Sequence, residues 1–248
     1  ENYTEWLITA PHLSVQYWGP HFDLPNIIAH VRSTERTTPE GARLLVLEEI
    51  QSDWNQELRA ATQEATRQRP INDAARDIFD WNDVLQPPPF NPYLNHWLEA
   101  ALRVMLLLAA NRGFSGIVWL PGRLHAERFP WANAGGLKAF YDRIVPAAVE
   151  KLVRSWGAQL DEAQFPTLSR NFEVQRVAGI KKWKVLNRES GRFSEEEVID
   201  QDAAEVFRRS KEVRVLETIT AVYLSNEMRI DIRQHGLPYL GAVGQRQV

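Results

Sequence analysis

The sequence predicts a mixed α/β (α+β) fold: a central mixed sheet with helices packed on it and a small ββα unit inserted towards the C-terminal end. Three observations carry this expectation. Extended runs at residues 26–36 and from Arg43 onward flank the turn-like TTPEG, which is the pattern of a long β-hairpin. The run YLNHWLEAALRVMLLLAANRG has helical length and stops at a glycine, and the short apolar run FSGIVWLPG follows it as a buried strand. Strands, helices, strand, helix, strand and helix in that order suit a sheet layer carrying helices.

Residues 5–9 open the chain as an extended segment. The hairpin follows, and from Ser52 the pattern becomes helical and polar through NQELRAATQEATRQ. LQPPPFNP then interrupts, because proline lacks the N–H a helix needs. After the apolar helix and its strand, a further helix spans Gly136 to Gly157 and bends at Pro146. The charged segment KKWKVLNRESGRFSEEEVIDQDAAEVFRRSKE reads as two short strands about a Ser190–Gly191 turn and then a helix. VRVLETITAVYL is extended, and SNEMRIDIRQHG is a short helix with Ser225 as N-cap and Gly236 as C-cap. The tail after Pro238 carries little signal. These readings divide the chain into a main domain over 1–180, an insert over 181–212, and a C-terminal strand and helix over 213–248 that complete the main domain.

With 44% hydrophobic and 25% charged residues, the 248-residue chain has the composition of a soluble globular protein. A net charge of -3 supplies no global positive field for nucleic acid. Cysteine is absent, so disulfides, thiol nucleophiles and zinc–thiolate sites are excluded, and any metal would have to be held by His and carboxylates. The longest apolar helical run is far short of the ~20 residues of a membrane span. Nine tryptophans indicate large packing anchors. Beginning at Glu1 without a methionine, the chain reads as a piece of a longer protein.

The chemistry concentrates in LLVLEEIQSDWNQ, where an apolar strand ends in adjacent carboxylates, an amide, a serine and an aspartate. Alternation along a strand turns Glu49, Gln51 and Asp53 one way and Glu48, Ile50 and Ser52 the other. If the hairpin pairs, one face collects His30, Arg32, Glu49 and Gln51. His30, Glu49, Gln51 and Asp53 are then candidate catalytic residues, and Arg32 and Arg36 candidate anion binders. The competing reading is a register-fixing ion-pair network, with Arg32 or Arg36 satisfying Glu49 and Asp53 starting the next helix. A second cluster, WLPGRLHAERF, follows a strand with a glycine turn and a helix start, where free backbone N–H groups converge. It offers Trp119, Gly122, Arg123, His125 and Arg128 as substrate contacts. In the loop QYWGPHFDLPN, Tyr17, Trp18 and His21 either line the same mouth or plug one end of the core. Dinucleotide, Walker, H-E-x-x-H and G-x-S-x-G signatures are missing, so no cofactor is assigned.

Together NIIAHVRSTER, LEEIQSDWNQ, GFSGIVWLPGRLHAERF, GLKAFYDRIVP and LSNEMRIDIRQHGLPYLG resemble a module of the large multidomain polyvalent proteins of bacteriophages and mobile elements. That module's words run E-I-Q-S-D-W, W-x-x-G-x-x-x-A-x-R-Y, F-Y-D-K-x-L-P and a closing I-T-x-x-M-R-x-x-x-x-x-G-x-P-L-F. Here Phe129 stands at the tyrosine position, Pro121 precedes Gly122, His125 replaces a common glutamine, and Tyr239–Leu240 stands where the closing motif has Leu-Phe. The resemblance implies a phage-type setting in virion or host cytoplasm, with other domains of the same protein, virion proteins or host proteins as partners. It supplies no reaction. Three functions compete: acyl transfer, because the element order is similar to the cofactor-binding half of GNAT acyltransferases; transfer or hydrolysis on a phosphate-containing substrate gripped by Arg32 and Arg128; and a non-catalytic virion-packing or host-binding module. GNAT enzymes place a glycine-rich turn before their long helix, where this chain has PPPFNPYLNHW.

Overall fold

Strands β2 (Ile27–Thr37) and β3 (Arg43–Gln51) form the predicted hairpin in the computed structural model, antiparallel and joined through a tight turn at Thr38–Ala42. Residues 2–67, 88–168, 172–176, 182–187, 192–194, 198, 200–211 and 214–236 are described. The Ser190–Gly191 turn and the tail after Pro238 lie outside them. Strand β1 (Thr4–Thr9) pairs antiparallel with β2, and β4 (Gly116–Trp119) pairs parallel with β3. Beyond β4 come β9 (Arg214–Tyr223), antiparallel to it, and β5 (Asp161–Leu168), giving the order β1-β2-β3-β4-β9-β5. This is the expected mixed sheet.

The chain divides into two compact units, residues 1–163 with 219–248, and residues 164–218. In the first, Val31, Leu45, Leu47, Ile50 and Ile117 pack with α2 (Trp97–Asn111), α5 (Val145–Val153) and α7 (Asn226–His235). Helix α2 is the predicted apolar helix, and Gly113 just beyond it takes φ 71°, a left-handed conformation that glycine adopts without a Cβ penalty. Ser225 caps α7 as predicted, accepting from the Met228 N–H at 3.1 Å. Helix α1 (Asp53–Arg67) is anchored by Trp54, which is stacked on Tyr17 with centroids 4.8 Å apart. The second unit holds β6 (Phe172–Arg176), β7 (Trp183–Asn187) and β8 (Arg192–Phe193) as an antiparallel sheet, followed by α6 (Gln201–Lys211). It takes in β6 besides the predicted ββα order of 181–212. No described helix is long and apolar enough to cross a membrane.

The helix expected over Gly136–Gly157 runs from Ala134 to Trp156 without interruption but changes register on the way. Helix α3 (Gly122–Arg128) is followed by α4 (Ala134–Ala139), a π-helical turn (Phe140–Ile144) and α5. Pro146 explains the change of register. The Val145 N–H reaches back to the Phe140 carbonyl, and in that wider register the Tyr141 carbonyl faces position 146, where proline has no N–H to give. The Trp119 indole N–H donates to that carbonyl at 3.2 Å.

Candidate functional site

In the hairpin, His30 lies directly across from Gln51 and Arg32 from Glu49, so all four share one face, as the sequence predicts. Their neighbours Val31 and Ile50 belong to the helix-packed core, so the polar face is turned away from α2. Between Arg32 and Ser33 the register shifts, and Glu48 is the extra residue of a β-bulge. Glu48 accepts from the Thr34 hydroxyl at 2.7 Å and from Arg36 at 3.2 Å, while Glu49 accepts from Arg32 at 3.0 Å. Because Arg32, Thr34 and Arg36 alternate along β2, both carboxylates stand on the same side. Strict alternation, which turned Glu48 away with Ile50 and Ser52, is corrected by the bulge. Arg36 pairs with Glu48, and Arg32 is the partner of Glu49.

Two further residues join this face: Glu5, which sequence reasoning left out, and His21, which it placed at the mouth or as a plug of the core. Glu5 on β1 sits opposite Arg32, and its Oε1 contacts His30 Nε2 at 2.6 Å and Arg32 Nε at 2.8 Å. Arg32, then His30, holds the Glu5 carboxyl below its usual range. Placing residues 5–9 beside β2 rather than leaving them unpaired would have revealed it. His21 arrives from the 11–25 loop, its Nδ1 2.8 Å from Asp53 Oδ2. The Gln51 amide donates to the other oxygen of Asp53. Asp53 is thus the first residue of α1 with its carboxylate turned to His21 and Gln51. Phe22 bridges the two imidazoles, its ring edge-on to His30 at 4.9 Å.

Position of the loop depends on Asn26, whose φ of 57° places it in the left-handed region. Its side-chain oxygen accepts from the Tyr17 N–H at 2.8 Å and its amide donates to Val15 O at 2.8 Å. Tyr17 plugs the core against Trp54, Trp18 is exposed, and His21 alone of the three reaches the polar face.

The second cluster divides. Trp119 is buried in the core, where its N–H satisfies the carbonyl left without a partner by Pro146; its assignment as a substrate contact is corrected. Gly122 packs so closely on Leu137 and Lys138 of α4 that a Cβ would collide with their backbone. Its N–H, expected to be free for a ligand, donates to Asp142 Oδ1 at 2.7 Å. Arg123 is exposed in the first turn of α3, and Arg128 lies over the Phe129 ring at 5.2 Å. His125 is buried and stacked flat on Tyr141, centroids 3.5 Å apart. Burial first, then the Arg128 charge, pushes its pKa down to about 4. The Leu120 carbonyl holds one ring nitrogen, and Nε2 is buried without a protein partner.

Tyr141 connects the two clusters. Pairing between β3 and β4 ends at Leu47 opposite Trp119, where the bulge begins. Past that point the Tyr141 hydroxyl takes the place of a strand partner, accepting from the Ile50 N–H at 3.0 Å and donating to the Ile50 carbonyl at 3.3 Å. Burial raises its pKa, so the phenol keeps its proton.

Across the face, Glu5, Glu48, Glu49 and Asp53 outnumber Arg32 and Arg36, four carboxylates to two guanidiniums. Both arginines are engaged by carboxylates, so neither is an open anion clamp. One flank is accessible: the Arg32 and Glu5 side chains are 32% and 33% exposed, against 12% for Glu49. Among the described residues no group of three or more His, Asp or Glu could hold a metal ion. No family model matches the chain, and neither a curated protein nor a solved structure does so.

Proposed function

We propose that the chain is an acyl-transfer enzyme whose acceptor carries an amine. The observation that carries this reading is the parting of β3 from β4 after Leu47, with a tyrosine hydroxyl on the freed Ile50 backbone. An acyl thioester docking at this edge would meet the Tyr141 hydroxyl once that hydroxyl leaves the Ile50 backbone. Tyr141 is the acid for the leaving sulfur, since a buried phenol retains its proton until a thiolate is there to take it. The excess of carboxylates on the adjacent face attracts an ammonium group and disfavours the phosphate-gripping alternative. In the setting implied by the polyvalent-protein resemblance, the enzyme would be one domain of a larger protein that modifies host or virion amines.

The reaction balances simply. The amine nitrogen attacks the acyl carbon, the C–S bond breaks, the sulfur takes the Tyr141 proton, and the nitrogen loses one proton to a base. The test is release of free thiol from short acyl-coenzyme A esters by the full chain, with and without a lysine peptide or polyamine. Amine-dependent release that is lost in Tyr141→Phe supports the proposal. Neither thiol release nor saturable coenzyme A binding in the folded wild type refutes it.

One observation favours a second reading. Arg32 is satisfied on two sides by Glu5 and Glu49, as a network that only fixes strand register would be. The Glu49 substitution below separates the two.

A further inference from the structure

We propose that His21, held by Asp53, is the proton acceptor of this site. The proposal rests on the acyl-transfer reading for the identity of the reaction, though the pair itself stands on geometry. Asp53 binds Nδ1 of His21 at 2.8 Å, which fixes the tautomer with the proton on Nδ1 and leaves the Nε2 lone pair outward on an exposed ring. The Asp53 side chain is only 14% exposed and is clamped from its other oxygen by Gln51. His235 and Asp231 make the same contact one helical turn apart on α7, where Asp231 is 43% exposed, so a His–Asp pair alone marks no site. What separates His21 is its address. Gln51, which lies across from His30 on the shared polar face, holds Asp53 from its other oxygen, so the pair is tied into that face.

Elimination leads to the same residue. Glu5, Glu48 and Glu49 each accept from arginine, so their carboxylates are already engaged. His30 gives Nε2 to Glu5, and its Nδ1 is buried. His125 is sealed against Tyr141, and burial lowers its basicity. His21 is the imidazole on this face with a ring nitrogen open to an incoming substrate. The loop that presents it is pinned by Asn26 and by the Trp18–Pro25 bridge. In the reaction, the acceptor enters as the free amine, having lost its ammonium proton to water. Its nitrogen attacks the acyl carbon and gives the proton it sheds to His21 Nε2, the C–S bond breaks, the sulfur leaves with the Tyr141 proton, and the proton on His21 returns to the phenolate through solvent.

Two arms test this on the full chain. Diethyl pyrocarbonate acylates unprotonated imidazole nitrogen and needs no enzyme activity. Peptide mapping should show His21 modified several times faster than the exposed His96, and Asp53→Asn should abolish the difference. Equal rates in the wild type, or an unchanged rate in Asp53→Asn, overturn the proposal. In the thiol-release assay, His21→Gln should lower kcat about 100-fold with the KM for the acyl donor unchanged, and added imidazole should restore His21→Ala. An active wild type with an unimpaired His21→Gln variant overturns the proposal as well. A wild type inert to amines but with fast, Asp53-dependent modification of His21 supports the base and refutes only the acyl-transfer reading.

Discussion

Replacing Glu49 by Gln removes a charge while keeping shape and an oxygen that can still accept from Arg32. Were Arg32 sealed and dependent on Glu49, stranding its charge would cost about 3–5 kcal/mol. The geometry argues for less. Arg32 keeps its 2.8 Å contact to Glu5 through Nε, and with a third of its side chain exposed it also keeps water. A partly exposed pair of this kind is worth about 0.5–1 kcal/mol. For a chain of this size the midpoint should therefore fall by about 2–4 °C at most. The Glu5→Gln/Glu49→Gln double variant leaves Arg32 without a carboxylate, and its loss should exceed the sum of the singles by about 1 kcal/mol. Urea unfolding of the four proteins, read as midpoint and slope, measures both quantities. A single-variant cost above about 3 kcal/mol would show that Glu49 is a structural clamp and refute the functional reading of this face.

Three further outcomes are expected. Tyr141→Phe leaves the buried Ile50 N–H without its acceptor, at a cost of about 1–3 kcal/mol, and calorimetry should show a lower midpoint in a protein that still folds. Asn26→Ala loses two good side-chain bonds, about 2 kcal/mol, while Asn26→Gly loses the same bonds but recovers about 1 kcal/mol by removing the Cβ from the left-handed region; the reverse order of stability would contradict the account of this loop. For His125, lowered from 6.5 to about 4, the unfolded chain takes up a proton at higher pH than the folded one, so stability falls as pH drops through that interval. The loss approaches about 3 kcal/mol near pH 4, and a His125→Gln variant should unfold with a visibly shallower pH dependence between pH 6.5 and 4.

The sheet and helices were legible where the signal is local. The β2–β3 pairing followed from two extended runs about a turn, α2 from its apolar length and terminal glycine, and α7 from a serine cap. What stayed hidden depends on contacts between distant segments or on a change of phase. Glu5 reaches His30 only because β1 docks beside β2, and His21 meets Asp53 across 32 positions of chain. The bulge was invisible because EE reads equally well as alternation, and only the cross-strand register shows both carboxylates on one side. Trp119 was misread because a strand-end tryptophan beside a glycine turn looks like a ligand wall. The need it meets, a carbonyl facing Pro146, arises 22 residues away. The π-helical turn behind that need follows from Pro146 in its tertiary setting, where a simple bend was expected.

The bulge also separates Glu48 from the rest of its strand in heredity. Removing that one codon would leave Leu47 opposite Ser33 and Glu49 opposite Arg32 as consecutive pairs, so every remaining side chain of β3 would keep its present face. Elsewhere in a strand a single deletion inverts everything beyond it, and selection rarely tolerates the result. Here a gene could drop or regain the residue without scrambling its neighbours. A straightened β3 would then bring Ile50 to the Tyr141 hydroxyl without the extra residue that now precedes it. The bulge is thus switchable by a three-nucleotide indel, a kind of change that comparison of substitutions alone would never reveal.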